Sequence, residues 1–503
     1  MTSDTSSPSY KGPIEQAAPG DFVYDPSLDH VKRQFGKQHI QMIAFTFTWQ
    51  VLPMRTLRLL LVYFSGLTRF STILSVGEMT AFAPISGSLL LYVARWLDPA
   101  VGFALGWNYF YFVGIAIPLE LTAFYSMVRF WDTNPAHGAI YIAAFIVALL
   151  LLNLFGVRWF GNSEIFFASL KIILAVGLYW RNPGPFVSLL EPGATGRFLG
   201  ILVAITPAAF SLSGIELISI TAAEAQQPRT NIIKAMRTVI FRLIFFYIAS
   251  VIVVGMVVPS NNQALLRPGA SAAQSPFVIA FQRAGVKVLP SIINAVLITS
   301  AFSASNTFVF SGSRILYGLA VQKKAPKIFT TCTRNGLPWV AVIAAWLFSF
   351  LAFMVVSTAS ATVFNWFVSL ATMSGFIGWI TLNTTYLRYY YGLRRQGIVP
   401  RGIYRSPLQP YASMWAIFWI PFYILLNGLS VFWDWNASKF VAAYISLPVF
   451  LVLFIGYKLR YKTKITPLAE LDFVSNVPTL EETGDEELLL EKMSFAKKLR
   501  ELI

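Results

Sequence analysis

One cysteine, three histidines and few charges narrow what this 503-residue chain can do. Cys332 has no second thiol in the chain, so no internal disulfide forms and no cysteine-rich metal site is built. His30, His39 and His137 are far apart in sequence and stand near the edges of apolar runs. No Ser-His-Asp, Cys-His or metal-ligand constellation emerges, so the sequence predicts neither an enzyme nor a bound metal or cofactor. A phosphate loop of the glycine-rich lysine type is missing, which argues against ATP-driven work. Charged residues make up only 12% of the chain, against about 25% in soluble proteins. Glycine is absent between Gly36 and Gly66. The stretch from Thr2 to Pro19 is polar and rich in Ser and Pro, without the apolar core of a cleaved signal peptide. The first membrane span is therefore expected to direct insertion.

What is present is apolar. Hydrophobic residues form 56% of the chain, and mean hydropathy is +0.61. About twelve runs approach the ~20 residues needed to cross a bilayer as a helix. They lie near 40–62, 66–91, 99–129, 136–155, 160–179, 199–222, 239–258, 288–311, 337–356, 362–387, 412–432 and 439–459. The runs are continuous rather than alternating, which excludes a transmembrane β-barrel. The fold class read from this pattern is an all-α polytopic membrane protein.

The net charge of +16 is distributed in a way that excludes nucleic acid as the partner. Lys32, Arg33 and Lys37 precede the first run; Arg229, Lys234, Arg237 and Arg242 follow the sixth. Further clusters follow the eighth (Lys323, Lys324, Lys327, Arg334), the tenth (Arg388, Arg394, Arg395, Arg401, Arg405) and the twelfth (Lys458, Arg460, Lys462, Lys464). Basic clusters at every second connection obey the positive-inside rule and place both termini in the cytosol. The chain divides into a cytosolic tail at 1–38, a transmembrane domain at 39–460 and a cytosolic tail at 461–503. The tails are where cytosolic regulators would act. Leu489, Met493, Ala496, Leu499 and Ile503 recur at helical amphipathic spacing beside four basic residues, which suits a lipid surface or a solvated helix.

The sixth run carries the most informative interruption. Polar Ser211, Ser213 and Gly214 and the ionisable Glu216 break an apolar stretch that begins at Leu199. Irregular backbone at membrane depth is tolerated only where it is buried or lines a cavity, and broken helices with free N–H groups hold anionic substrate groups in many transporters. Glu216 reads as a proton-coupling group or as the partner of a substrate amine, with a buried carboxyl bonded to neighbouring helices as the structural alternative. Glu120 follows Pro118, which frees a carbonyl one turn earlier. Lys171 is flanked by apolar Leu170 and Ile172; it either carries a proton with a depressed pKa or snorkels to the interface. Thr299 and Asn306 either line a cavity or form interhelical hydrogen bonds.

Ordered motifs run along the chain: His39-Ile40-Gln41-Met42-Ile43-Ala44, Gly77-Glu78-Met79, Pro84-Ile85-Ser86-Gly87-Ser88, and Asp98-Pro99-Ala100 with Gly102 to Tyr109. They continue with Pro118-Leu119-Glu120-Leu121, Asn153-Leu154-Phe155-Gly156, the sixth run, Thr299 to Asn306 and Ser313-Arg314-Ile315-Leu316-Tyr317-Gly318. Together they closely resemble the fungal amino-acid permeases of the yeast amino acid transporter family, within the amino acid–polyamine–organocation superfamily. The resemblance covers about residues 39 to 460. It implies twelve transmembrane helices with a five-plus-five inverted repeat of the leucine-transporter type, and proton-coupled uptake of L-amino acids at the plasma membrane. It also implies that Phe210 gates the substrate, that the backbone around Ser211, Ser213 and Gly214 contacts it, and that Lys171 stands where related superfamily members hold a sodium ion.

Two segments depart from the family. After Ala44 the family continues with a glycine-rich stretch whose amides bind the substrate carboxylate. This chain reads Phe45-Thr46-Phe47-Thr48-Trp49-Gln50-Val51-Leu52-Pro53-Met54-Arg55 instead, and its side chains block the close backbone approach that glycine permits. The fifth run reaches Trp180-Arg181-Asn182-Pro183 early and is short for a span. These losses predict weak transport by the chain as written. They raise a non-transporting sensor, or a transport-impaired splice or gene-model variant, as the rival to a transporter. Which amino acid is carried does not follow from these motifs.

Overall fold

A chain in lipid has to satisfy its backbone polar groups internally, and apolar runs of this length do so as helices. The computed structural model describes residues 58–84, 87–132, 134–154, 214–224, 227–231, 289–358, 360–400, 404–406 and 408–475, with residues 477–478 and scattered positions between 195 and 279. Among the described residues every regular element is helical. Among the described residues, four stretches are long and apolar enough to cross a membrane: Pro99–Val128, Ser291–Val321, Trp339–Ser357 and Thr362–Arg395. A fifth is formed if two helices meeting at a 46° bend count as one span. The expected runs at 160–179 and 239–258, and all of 40–62 before Arg58, lie outside the described residues.

The expected run at 66–91 is split in two. Helix α1 spans Arg58–Phe82 and α2 spans Ser88–Trp96. Gly87 between them has φ +67°, a left-handed conformation that glycine adopts at no steric cost. A Cβ there would stand 2.6 Å from Gln322 Nε2, so the turn also needs the space that glycine leaves. Helix α3, Pro99–Val128, starts at an Asp98 cap whose Oδ1 accepts from the Ala100 amide at 2.7 Å, with Pro99 in the first turn. Helix α4 is Gly138–Leu154, and a 3-10 segment follows at Ile215–Glu224. Helix α5 spans Leu289–Val321. Trp339–Trp346 (α6), a 3-10 piece at Leu347–Phe353 and Met354–Ser357 (α7) form one apolar rod. Helix α8 spans Ser360–Arg395 and α9 spans Tyr411–Leu426. The bent pair is Ala437–Tyr444 (α10) and Ser446–Tyr461 (α11).

Helix α3 is the centre of the bundle, packed by α5 and α8 along its length. Small residues allow the approach: a Cβ on Gly106 would meet Leu319 Cδ2 at 2.5 Å, and one on Gly114 would meet Phe348 at 2.8 Å. Polarity is inverted relative to a soluble protein. Phe418, Leu425, Val452 and Leu459 are exposed, whereas Arg69, Glu78, Asn108, Glu120, Glu216, Asn306 and Asn383 are buried. An apolar exterior around a polar interior is what a lipid solvent selects.

Beyond α11 the chain turns back over the helix ends. Lys458 Nζ and Thr463 Oγ1 both donate to the Asp98 carboxylate, at 2.5 and 3.0 Å. Arg388 donates through Nε to the Trp96 carbonyl at 2.7 Å and through Nη2 to the Thr466 carbonyl. Trp96 Nε1 donates to the Asp472 carbonyl at 2.9 Å, and Arg95 donates to that of Ser475 at 2.6 Å. Phe473 inserts its ring among Phe82, Trp96 and Tyr389, with centroids 5.8 to 6.0 Å away. Burial raises the Asp472 pKa, but hydrogen bonds from the Ser475 and Val474 amides and the nearby Arg95 charge outweigh it, and the net shift is downward. A depressed carboxyl contributes stability above its unfolded-state value, and that contribution is lost as pH falls through the folded pKa.

Removing the Phe473 ring should open a cavity in this aromatic cluster. Phe473→Ala is expected to destabilise the fold by about 3–5 kcal/mol, as for other buried Phe truncations, read as a lower apparent Tm in detergent. An unchanged Tm would show that this returning segment adds nothing to stability.

Candidate functional site

The interruption in the sixth run is visible in the backbone. Gly214 has φ +98° and is buried, and its carbonyl accepts the Leu217 amide at 3.0 Å. The next ten residues, Ile215–Glu224, wind as a 3-10 helix. Runs of that kind rarely exceed three or four residues, and within membrane helices they mark hinges or strain. Ser219 Oγ donates to the Glu216 carbonyl at 2.8 Å, and Ser88 Oγ of α2 donates to the Ser219 carbonyl at 2.9 Å. The tight segment is thus anchored to the start of α2 just past Gly87.

Glu216 is 1% exposed and is held by two helices. Its Oε2 accepts from Arg69 Nη2 of α1 at 3.2 Å. Its Oε1 accepts from Trp379 Nε1 of α8 at 3.0 Å. The Arg69 guanidinium, equally buried, stands 5.1 Å from the centre of the Trp379 ring, a distance at which a cation is attracted to the aromatic face. The Tyr109 hydroxyl of α3 lies close enough to interact electrostatically with both charges. It is fully buried beside them. Gly378 makes room for it, since a Cβ there would stand 2.5 Å from the Tyr109 oxygen. Four elements therefore converge on one carboxylate two residues past the helix break.

Arg69 is the residue that the sequence reading missed. It begins a stripe on α1 in which every third position is polar and buried: Arg69, Thr72, Ser75 and Glu78. Asn383 Nδ2 of α8 donates to Thr72 Oγ1 at 2.7 Å, and Ser75 Oγ donates to Asn383 Oδ1 at 3.1 Å. Ser75 and Ser413 hydroxyls are 2.8 Å apart, Gln409 Nε2 donates to Ser75 Oγ at 2.8 Å, and the Tyr386 hydroxyl donates to Glu78 Oε2 at 2.6 Å. The three-residue period of polar side chains in an apolar helix was the signal available in the sequence.

The other candidates are distributed differently. Asn306 of α5 accepts through Oδ1 from Asn153 Nδ2 of α4 at 2.7 Å, the interhelical bond that was one of its two readings. Thr299 Oγ1 donates to the Val296 carbonyl of its own helix at 2.8 Å. No described hydrogen bond joins Thr299 or Asn306 to Glu216. Glu120 is buried on α3, two residues past Pro118. Phe210, Ser211, Ser213 and Lys171, and both departures from the family pattern, lie outside the described residues. His137 pairs with Asp132 at 2.6 Å on the surface. No group of three His, Cys, Asp or Glu able to hold a metal occurs among the described residues.

Residues 47–469 match the family model described as amino acid permease. The proline-specific permease of Emericella nidulans is 38% identical over 427 residues, covering 79% of this chain and 78% of that protein. The proline-specific permease of Saccharomyces cerevisiae is 37% identical over 464 residues, covering 84% and 74%. The dicarboxylic amino acid permease of the same yeast is 36% identical over 439 residues, covering 81% and 72%.

Breaking a buried ion pair from one side strands a charge, whereas replacing both partners does not. Glu216→Gln alone is expected to cost about 3–5 kcal/mol of stability, and Arg69→Met/Glu216→Gln to recover most of it. Thermal unfolding of the purified variants gives the comparison. Equal losses in the single and double variants would remove the ion pair as the reason.

Proposed function

The chain belongs to the fungal amino acid permease family, and from that premise we propose that it is a secondary transporter that takes up L-amino acids with protons across the plasma membrane. Members of this family are transporters, not enzymes. The observation that carries the finer reading is the break at Gly214 with Glu216 buried beside it. An intramembrane carboxylate costs free energy that a purely structural role rarely explains. At a helix break it stands where a substrate's polar head can be met by free backbone groups.

Alternating access would rock one helix bundle against the other around the broken first and sixth spans. Phe210 serves as the gate, and Ser211, Ser213 and Gly214 supply the backbone at the break. Thr299 and Asn306 line the approach from α5, and proton coupling is shared among Glu216, Glu120 and Lys171. Both termini face the cytosol. The three relatives are named permeases and none is named a sensor, which supports transport over the rival reading.

Radiolabelled amino acids offered to a permease-deficient yeast expressing the chain test this. Weak or no uptake is expected of the chain as written. Saturable uptake that collapses with a protonophore is expected of a version carrying a glycine-rich first span and a longer fifth, at matched surface levels. Comparable uptake by the two would show that the two departures do not impair transport. Surface-localised protein that binds amino acids and moves none in either version would favour the sensor reading. Glu216→Gln is expected to abolish proton-driven uptake with membrane insertion intact, and unchanged pH-dependent uptake would take Glu216 out of the mechanism. Lys171→Ala is expected to stop or uncouple transport, and Lys171→Arg to fail to restore it, because arginine keeps its proton. Full activity in the arginine variant would favour the snorkelling role.

A further inference from the structure

We propose that the strap at 463–478 is a latch on the cytosolic side of the transporter. While it is docked, the end of α1 and the chain leaving the 3-10 segment are held against α2, α3 and α8, and it has to lift before the protein can open inward. This rests on the permease reading and adds to it a part that no motif assigns.

The strap joins the pieces that opening has to separate. Phe473 packs its ring on Phe82, the last residue of α1, and on Tyr389 of α8. Helix α1 also carries Arg69, the partner of Glu216. Just past the 3-10 segment, Arg229 donates through Nη2 to the Phe82 carbonyl at 3.5 Å and to the Pro478 carbonyl at 2.5 Å. One side chain thus ties the end of α1, the chain after the sixth run and the far end of the strap. The near end is tied to the central helix, since Thr463 donates to Asp98, the cap of α3. Between them Gln396, just past α8, donates to the Leu471 carbonyl at 2.9 Å. The basic run Lys458, Arg460, Lys462 and Lys464 leads into the strap, the pattern of a cytosolic connection.

The strap is also made so that it can come away. It has no regular helix, and its outer side is exposed at Lys464, Ile465, Pro467 and Glu470. Its apolar grip is the buried pair Leu471 and Phe473. The fastenings from Arg95, Trp96, Arg388 and Gln396 all end on carbonyls of the strap backbone. At a surface both partners of such a bond find water when it opens, so its net contribution is small. When Thr463 leaves, Asp98 keeps Lys458, and when Pro478 leaves, Arg229 keeps the Phe82 carbonyl. Parting Arg69 from Glu216 in the bundle would instead strand two buried charges.

Hydrogen exchange of the full chain in lipid nanodiscs tests the latch. A Cβ on Gly392 would stand 2.5 Å from Leu471 Cδ1, so cysteines replacing both residues come within disulfide reach. In Leu471→Cys/Gly392→Cys with Cys332→Ser, oxidation should slow exchange of the 215–224 amides by about tenfold or more, and reductant should restore it, with α3 unchanged. Oxidised and reduced samples are the same molecules, so a folding defect does not imitate the effect. Arg388→Ala removes the bonds to the Trp96 and Thr466 carbonyls and should speed exchange at 215–224 by about tenfold. Equal exchange in the oxidised and reduced forms, or an equal change in α3, overturns the latch. Wild-type exchange in folded Arg388→Ala overturns it too. In the version with a glycine-rich first span and a longer fifth, oxidation should stop amino-acid uptake reversibly. Uptake that survives complete oxidation overturns the latch and leaves the permease reading in place. No uptake by the reduced protein goes against the permease reading, and the exchange comparison then decides the strap by itself.

Discussion

A guanidinium at membrane depth cannot shed its charge, so the structure around Arg69 has to answer it. Glu216 supplies the described counter-charge, Trp379 offers its ring to the cation and its N–H to the carboxylate, and Tyr109 closes the fourth side. Those contacts bring together α1, α3, α8 and the 3-10 segment at 215–224. Parting α1 from the 3-10 segment would leave both charges without their described counter-ion. Apolar packing would tolerate several helix registers at similar cost, whereas a buried ion pair with directional hydrogen bonds is satisfied in few.

The same logic extends along α1. Below Arg69, Thr72, Ser75 and Glu78 each find a polar partner on α8, on α9 or in the turn that leads into it. This is a polar seam inside a bundle whose outside is apolar. Hydrophobic attraction between helices is absent in lipid, so close approach at small residues and interhelical hydrogen bonds have to hold the bundle. The glycines of α3 and the seam on α1 are these two devices in one molecule. At the helix ends, where water returns, the segment after α11 adds a third: aromatic burial around Phe473, fastened by arginines to backbone carbonyls.

Rigidity and movement are divided accordingly. The central α3 is packed on all sides. The 215–224 segment is wound in the least favourable of the common helical forms and begins at a left-handed glycine. It carries the carboxylate that pairs with Arg69 of α1.

Much of this was legible in the sequence. Continuous apolar runs determined that the elements are helices and where most of them lie, because a chain in lipid has no other open-ended solution. The run expected at 99–129 is α3 at Pro99–Val128 and that at 136–155 is α4 at Gly138–Leu154. Glu216 could be singled out because an ionisable residue in an apolar run is conspicuous on its own. Its partner could not. Arg69 lies 147 residues away, in a run whose polar residues read one by one as a poor span. Helical periodicity says which side chains share a face but not which helix that face meets. The break before Gly87, the Asn153–Asn306 bond and the return of residues 463–475 over the helix ends likewise depend on neighbours distant in sequence. Composition and period set the helices; only tertiary packing decided which buried charge answers which, because that choice is made by distance in space.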